Sequence, residues 1–292
     1  MAAPRMADAA CFPTAKGAGD AVDEHKLSDA AEALDVSSRQ NVDVRAAISR
    51  KLSQRAALTS VCLDGIGLGS RAPSDIKEVV AVLLHRCKKL KTIELRKNAL
   101  GVAGVDAVVK AIMEAECTPT DARLRHLSLH SNKIGGGGSG GGSALLPLLL
   151  ADATKHRVAL HTLQLSLNNI DTTTISEMKM GFTTSTTIAV VDFAKNKLDD
   201  SGAYVIAEIL RKNRSLFALL LSTNQIGDDG GSAIAAAAAT HGRIAKLDFS
   251  YNSRITNATV AAVATAVENG SSSSKRNLVR VDTTVTSSSG GG

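Results

Sequence analysis

Apolar residues recur along this chain in a fixed frame. Residues 216–226 read Leu-Phe-Ala-Leu-Leu-Leu-Ser-Thr-Asn-Gln-Ile, or LxxLxLxxNxI. The frame returns at Leu90-Ile93-Leu95-Asn98-Leu100, Leu124-Leu127-Leu129-Asn132-Ile134, Leu160-Leu163-Leu165-Asn168-Ile170, Ile188-Val191-Phe193-Asn196-Leu198 and Ile244-Leu247-Phe249-Asn252. A further copy, Leu58-Val61-Leu63-Ile66-Leu68, puts Ile66 where the others carry asparagine and reads as an edge repeat. Copies begin at 58, 90, 124, 160, 188, 216 and 244, which gives a 28-residue period with insertions in the earlier copies.

The alternation in each LxL predicts a short strand with leucines facing inward and the intervening residues outward. Identical units stacked side by side would pair these strands in parallel and share one core. Each asparagine falls where the chain leaves the sheet, and its amide can satisfy both a backbone donor and a backbone acceptor. Asn98, Asn132, Asn168, Asn196, Asn224 and Asn252 are therefore expected to stack as a structural ladder. A helical period follows at 101–113, 199–211 and 227–239; in the second, Val205, Ile206, Ile209 and Leu210 form one stripe. The stretch 171–187 is rich in threonine, a poor helix former, and predicts the least stable helix.

The turns Asn-Gln-Ile-Gly-Asp-Asp-Gly-Gly at 224–231 and Asn-Lys-Leu-Asp-Asp-Ser-Gly at 196–202 are similar to the N-x-I-G/D-D-x-G turn of the ribonuclease-inhibitor-like class of leucine-rich repeat proteins. The resemblance covers about residues 58–270. It implies an α/β fold: an open solenoid, or horseshoe, with an inner parallel β-sheet and outer helices. Gly69-Ser70-Arg71 and Leu129-His130-Ser131-Asn132 also resemble the Ran GTPase-activating proteins of this repeat class. That resemblance implies, as an alternative function, regulation of a Ran-like small GTPase through Arg71.

Outward strand positions in such a fold line a concave surface. Those expected to bind a partner protein are Lys91, Glu94, Arg96 and Lys97 in the second repeat, Arg125, His126 and His130 in the third, and Gln164 in the fourth. Asp192 and Lys195, Phe217 and Leu220, and Asp248 and Tyr251 follow in the last three. The face reads as basic toward the N-terminal repeats, through Lys91, Arg96, Lys97 and Arg125. Toward the C-terminal repeats it reads as apolar, through Phe217, Leu220 and Tyr251. In a chain with five phenylalanines, two tyrosines and no tryptophan, an outward aromatic is a natural anchor.

The remaining segments add less. Residues 1–25 are aperiodic and expected to be disordered, and 26–57 are expected to form a helical cap over the first strand edge. The run 135–143, Gly-Gly-Gly-Gly-Ser-Gly-Gly-Gly-Ser, reads as a flexible loop with Ser143 capping the next helix. It lacks the Gly-Lys-Ser/Thr ending of a phosphate loop. Residues 271–292 read as a last strand near 278–283 and a Ser/Gly tail. A net charge of +6 favours an acidic protein partner, while the shortage of aromatics argues against nucleic acid.

No segment reads as a secretory leader or a membrane span, so a cytoplasmic, monomeric protein is expected, with a cytoskeletal or flagellar structural role as a second alternative. Cys11, Cys62, Cys87 and Cys117 are scattered and read as reduced thiols. His126 and His130, four apart on a strand, stand about 13 Å from one another, too far for one metal ion. The Asn213, Asn257 and Asn269 sequons read as idle. No spacing argues for a catalytic group, a metal or a cofactor, and the reading is of a non-enzymatic scaffold.

Overall fold

A computed structural model describes residues 58–270, except 117, 119, 120, 137, 139 and 152–154, and leaves aside the side chains of 263, 264 and 266–270. The expected N-terminal disorder and cap, and the last strand and tail, lie outside the described residues. The elements are β1 (Ser60–Cys62), a 3-10 turn (Leu68–Ser70), α1 (Pro73–Arg86), β2 (Thr92–Glu94), α2 (Gly101–Glu114), β3 (Leu124–Ser128) and α3 (Gly141–Leu149). They continue with β4 (Val158–Gln164), α4 (Thr172–Thr184), β5 (Val190–Asp192), α5 (Asp200–Lys212), β6 (Ala218–Leu220), α6 (Asp228–His241), β7 (Lys246–Asp248) and α7 (Asn257–Gly270).

The strands form one sheet in the order β1 to β7, every neighbour parallel, with the inward residues aligned as in Ile93 beside Leu127 and Val191 beside Leu219 and one register shift, between Leu124 and His126 where β3 meets β4. The alternating residues Ile93, Leu95, Leu127, Leu129, Leu163 and Leu165 are all buried. Helices pack on them from outside through Val80, Leu83, Val105, Val108, Ile206 and Leu210. Val205 of the predicted stripe is only half-buried. The architecture is an open α/β solenoid, with parallel strands inside and helices outside. It follows from burying one face of every strand and one stripe of every helix in a single continuous core.

At the strand exits, each asparagine bonds back to the preceding repeat. Asn168 Nδ2 donates to the Leu129 carbonyl at 2.8 Å, and its Oδ1 accepts from the Asn132 N–H at 2.7 Å. Asn132 does the same toward Leu95 and the Asn98 N–H, and Asn196 toward Leu165 and the Asn168 N–H. Asn98, Asn224 and Asn252 reach Leu63, Phe193 and Leu221.

The residue before each asparagine is left-handed: Lys97, Ser131, Leu167, Lys195, Thr223 and Tyr251 have φ between 55° and 59°. In the first repeat Gly65 (φ 65°) holds that place. All six remaining repeats put a β-carbon-bearing residue other than asparagine there at a cost of roughly 1 kcal/mol each, and the turn is nonetheless the same throughout.

A second polar column lies at the opposite ends of the strands, three residues before each repeat's first leucine: Cys87, Asp121, Arg157, Ser185, Asn213 and His241. All but Ser185 are buried. Asn213 Nδ2 donates to the Phe182 and Ser185 carbonyls at the end of α4, and its Oδ1 accepts from the Ser215 and Leu216 N–H groups. That sequon is thus fully engaged within the fold. Arg157, 1% exposed, donates to the carbonyls of Leu84, Cys87 and Lys88 at the end of α1 and to Ala122. Cysteine has no amide to offer those carbonyls, and the guanidinium reaches back across the intervening repeat to serve them.

The glycine-rich insertion differs from expectation. Helix α3 begins inside it at Gly141, and Gly140 (φ 112°), not Ser143, is the capping position. Its N–H groups are held by a carboxylate from α4: Glu177 accepts from Gly140, Gly142 and Ser143 at 2.7, 2.8 and 3.0 Å. A β-carbon on Gly142 would sit 2.2 Å from the Thr174 carbonyl oxygen, so bare backbone is what lets α3 and α4 approach there. The threonine-rich stretch forms a regular thirteen-residue helix, with Asp171 capping Thr174.

Candidate functional site

The register sorts the outward residues into rows that run across the sheet. One edge row precedes the strands and is tied together by backbone bonds: Arg125 N–H to Lys91 O, Ala189 N–H to His161 O, Phe217 N–H to Ala189 O, and Ala245 N–H to Phe217 O. The middle row is Cys62, Glu94, Ser128, Gln164, Asp192, Leu220 and Asp248. The opposite edge carries the left-handed residues, among them Lys97, Lys195 and Tyr251.

This sorting divides the predicted site. Lys91 and Lys97 are six positions apart, as are Ala245, beside Phe217, and Tyr251. Each pair is separated by on the order of 20 Å along the strand direction. The four predicted basic residues are therefore not one patch. Phe217 (46% exposed) and Tyr251 (63% exposed) lie on opposite edges, with half-buried Leu220 between them.

Nor does Arg96 act as a free cation. Its Nη2 pairs with Glu94 at 2.9 Å, its Nε approaches Asp64 at 3.6 Å, and its backbone N–H donates to Asp64 at 2.7 Å. Lys91, Lys97 and Arg125 are exposed and form no ion pair among the described residues.

Asp64 and Glu94 also stand with Cys62 within 4.8 Å of one another, a grouping the spacing did not reveal. It is poorly suited to a metal ion. Arg96 already balances the carboxylates, and burial pushes the Cys62 thiol up to about 11, away from the thiolate a metal requires. Cys62 and Cys87 are free thiols; Cys11 and Cys117 fall outside the described residues.

His126 and His130 are half-buried rather than fully solvent-facing, and His161 is exposed. His126 and His161, on adjacent strands, have ring centroids 6.1 Å apart. Burial holds His126 below the usual imidazole range, with His161 and Arg125 adding to it; burial and Arg125 do the same to His161. His130 Nδ1 bonds the Ser166 hydroxyl at 2.8 Å. Burial lowers it below the usual imidazole range, Asp192 opposes that, and Arg96, Lys97 and Lys195 add to the lowering.

Asp192 in turn accepts from Ser166 and from the Ala194 N–H at 2.9 Å, and burial raises it. Sequence spacing gave no hint of this His130–Ser166–Asp192 chain. The signal was present in the register, because the three residues occupy neighbouring rows of neighbouring repeats. The serine lies between the other two. Its hydroxyl serves the carboxylate, whereas a base-activated nucleophile needs the histidine in the middle. Ser128 and Ser166 are buried, the Ser128 hydroxyl without a partner among the described residues, so the centre of the face is a packed strip and its edges carry the accessible side chains. Asp248 belongs to that strip as well, bonded to Ser250.

Arg71 follows the 3-10 turn and is half-buried, with its backbone N–H on the Leu68 carbonyl at 3.0 Å. The helix after it, α1, has fourteen residues, the same length as α2. No helix among the described residues is long and apolar enough to cross a membrane.

Residues 212–235 match a family model described as Leucine Rich repeat. The chain is 28% identical over 201 residues to the ribonuclease inhibitor of Sus scrofa, a match that covers 61% of this chain and 42% of that protein. It thus spans less than half the length of that relative.

Among solved structures, similarity is found to the leucine-rich repeat-containing protein LegL7 of Legionella pneumophila (14% identity, TM-score 0.48, 76% of this chain and 67% of that one). It extends to leiomodin-1 actin-binding site 2 (23%, 0.34, 36% and 64%). The tropomodulin C-terminal domain of Caenorhabditis elegans is also similar (11%, 0.35, 78% and 93%). With seven parallel strand–turn–helix units and a stacked asparagine at six of the strand exits, the chain has the open leucine-rich repeat fold and is similar in sequence to a protein of the ribonuclease-inhibitor-like class.

Proposed function

We propose that this chain is a non-enzymatic protein-interaction scaffold that takes an acidic partner on its concave face, along the edge row that precedes the strands. The observation that carries the reading is the composition of that row. Lys91 and Arg125, exposed and without ion pairs among the described residues, are followed by His161, then by Ala189, Phe217 and Ala245. Charge thus stands at one end and an exposed aromatic at the other, as expected of a contact steered by electrostatics and anchored by one desolvated ring. The repeat class supports it: the pig relative is named for inhibiting ribonuclease, and a repeat solenoid presents an extended concave surface.

The test is affinity purification from the native cell with wild type, Lys91→Glu/Arg125→Glu and Phe217→Ser, with folding checked by circular dichroism. Loss of the same acidic protein from both variants is expected. Retention of every wild-type partner by both variants would overturn the reading.

A further inference from the structure

The two flanks of the solenoid place their charges differently. At the strand exits, acids meet the helix N-termini. Asp199 accepts from the Gly202 N–H, Asp200 from the Gly227 and Gly230 N–H groups, and Asp228 from the Thr256 N–H. At the helix-to-strand returns exposed cations stand at Arg86, which ends α1, and Lys89, at Lys212, which ends α5, and Arg214, and at Arg243 after α6, while the return into β3 carries an exposed acid, Glu116. None of these five cations forms an ion pair among the described residues.

Cations near helix C-termini have an ordinary explanation in the helix dipole, but it falls short here. A helix end carries only about half a unit of negative charge. At α1 the terminal carbonyls of Leu84, Cys87 and Lys88 are already occupied by the buried guanidinium of Arg157. Arg86 and Lys89 therefore have no capping duty, and Lys91 and Arg125 extend their charge onto the concave edge.

We infer that the return-loop flank is a second interaction surface, and that it binds an extended Asp/Glu-rich segment of a partner protein. The five cations come in two groups, at the returns into β2 and into β6 and β7; between them lie the return into β3 with exposed Glu116, the return into β4 with exposed Lys155, and the uncharged Ser185-Thr186-Thr187 return. Four strand spacings separate the groups, on the order of 20 Å, which about six extended residues span. Two acidic clusters on one polypeptide fit that spacing. A nucleic-acid strand, charged at every nucleotide, would set phosphates against Glu116 in the gap, and Phe217 is the one exposed aromatic beside this flank among the described residues on which a base could stack.

This inference rests on the protein-scaffold reading, and its test separates the two. Binding of fluorescein-labelled dodecaglutamate to the full chain is measured by anisotropy at low salt, with a labelled twelve-residue uridine RNA as competitor chemistry. Arg86→Glu/Lys89→Glu/Arg214→Glu/Arg243→Glu is expected to weaken peptide binding at least tenfold. The charge-matched variant of the opposite flank, Lys97→Glu/Lys133→Glu/Lys195→Glu/Lys197→Glu, should weaken it less than threefold.

Equal losses from both variants, no binding to wild type, or tighter binding of the RNA than of the peptide each overturn the inference. Lys91→Glu/Arg125→Glu is measured in parallel. If it keeps its native partners while the flank variant loses the peptide, the concave reading fails and the flank stands; the converse result leaves the concave reading alone.

Discussion

The two polar columns that hold the repeats together solve similar problems in different ways. At the strand exits one residue type, asparagine, makes nearly the same bonds from the second repeat to the seventh. At the returns the corresponding column holds Cys87, Asp121, Arg157, Ser185, Asn213 and His241, and each meets different partners. The asparagine sits three residues beyond the last inward leucine, ahead of any insertion, and the distance to the next repeat is fixed by strand pairing. The return residue follows helices that end at different distances from it: one residue after α5, eight after α3. A constant geometry accepts one side chain repeatedly, whereas a variable one demands a particular solution in each repeat.

The comparison can be broken most severely at Arg157. Replacing it with alanine removes its bonds to four carbonyls, of which those of Cys87 and Lys88 keep backbone partners, and leaves a void, so a loss of about 4 kcal/mol is expected in urea unfolding, and lysine should restore only part of it. Asn168→Ala removes the bond to Leu129 and the acceptor for the Asn132 N–H, at an expected cost of about 3 kcal/mol. If the ladder is as uniform as it looks, Asn132→Ala and Asn196→Ala should cost the same within about 1 kcal/mol.

His241 gives a pH test. It is 3% exposed, its Nδ1 accepts from the Arg243 N–H at 3.3 Å, and its buried Nε2 has no partner among the described residues. Burial, with Arg214 and Arg243, lowers it to about 4. The unfolded chain therefore takes up this proton first, and stability falls as pH drops from about 6.5 toward 4. Between pH 7.5 and 5.5 this amounts to about 1.4 kcal/mol, while carboxylates stay largely ionised. His126, His130 and His161 are lowered as well and act in the same direction, so the measurement is the difference in slope between wild type and His241→Asn. An unchanged slope would refute the assignment.

The smallest effect is expected at the strand-exit turn. Lys195→Gly relieves left-handed strain but loosens the unfolded chain, and the two should cancel to within about 0.5 kcal/mol in thermal melts.

Much of the fold was legible. The inward leucines, the strand–turn–helix order and the asparagine positions all follow from a period that survives insertions, because each repeat must bury the same face against its neighbours. The candidate site was legible only as a set of outward positions. Arg96 looked like part of a basic stack, and its two acids, Asp64 and Glu94, come from its own strand and the strand before. Phe217 and Tyr251 looked like one apolar end because spacing along the chain does not say which edge of a strand a residue occupies. The glycine-rich run looked slack because Glu177, which holds it, lies more than thirty residues further on.

By itself, then, the sequence determined the repeat, its inward face and the residue that closes each strand exit, since these depend on local period and on a hydrogen-bonding capacity written in a single side chain. Only the tertiary structure decided which cations remain unpaired, which serine joins His130 to Asp192, and that a buried arginine caps a helix two repeats away. Those outcomes depend on partners brought together by stacking, at distances that no local pattern encodes.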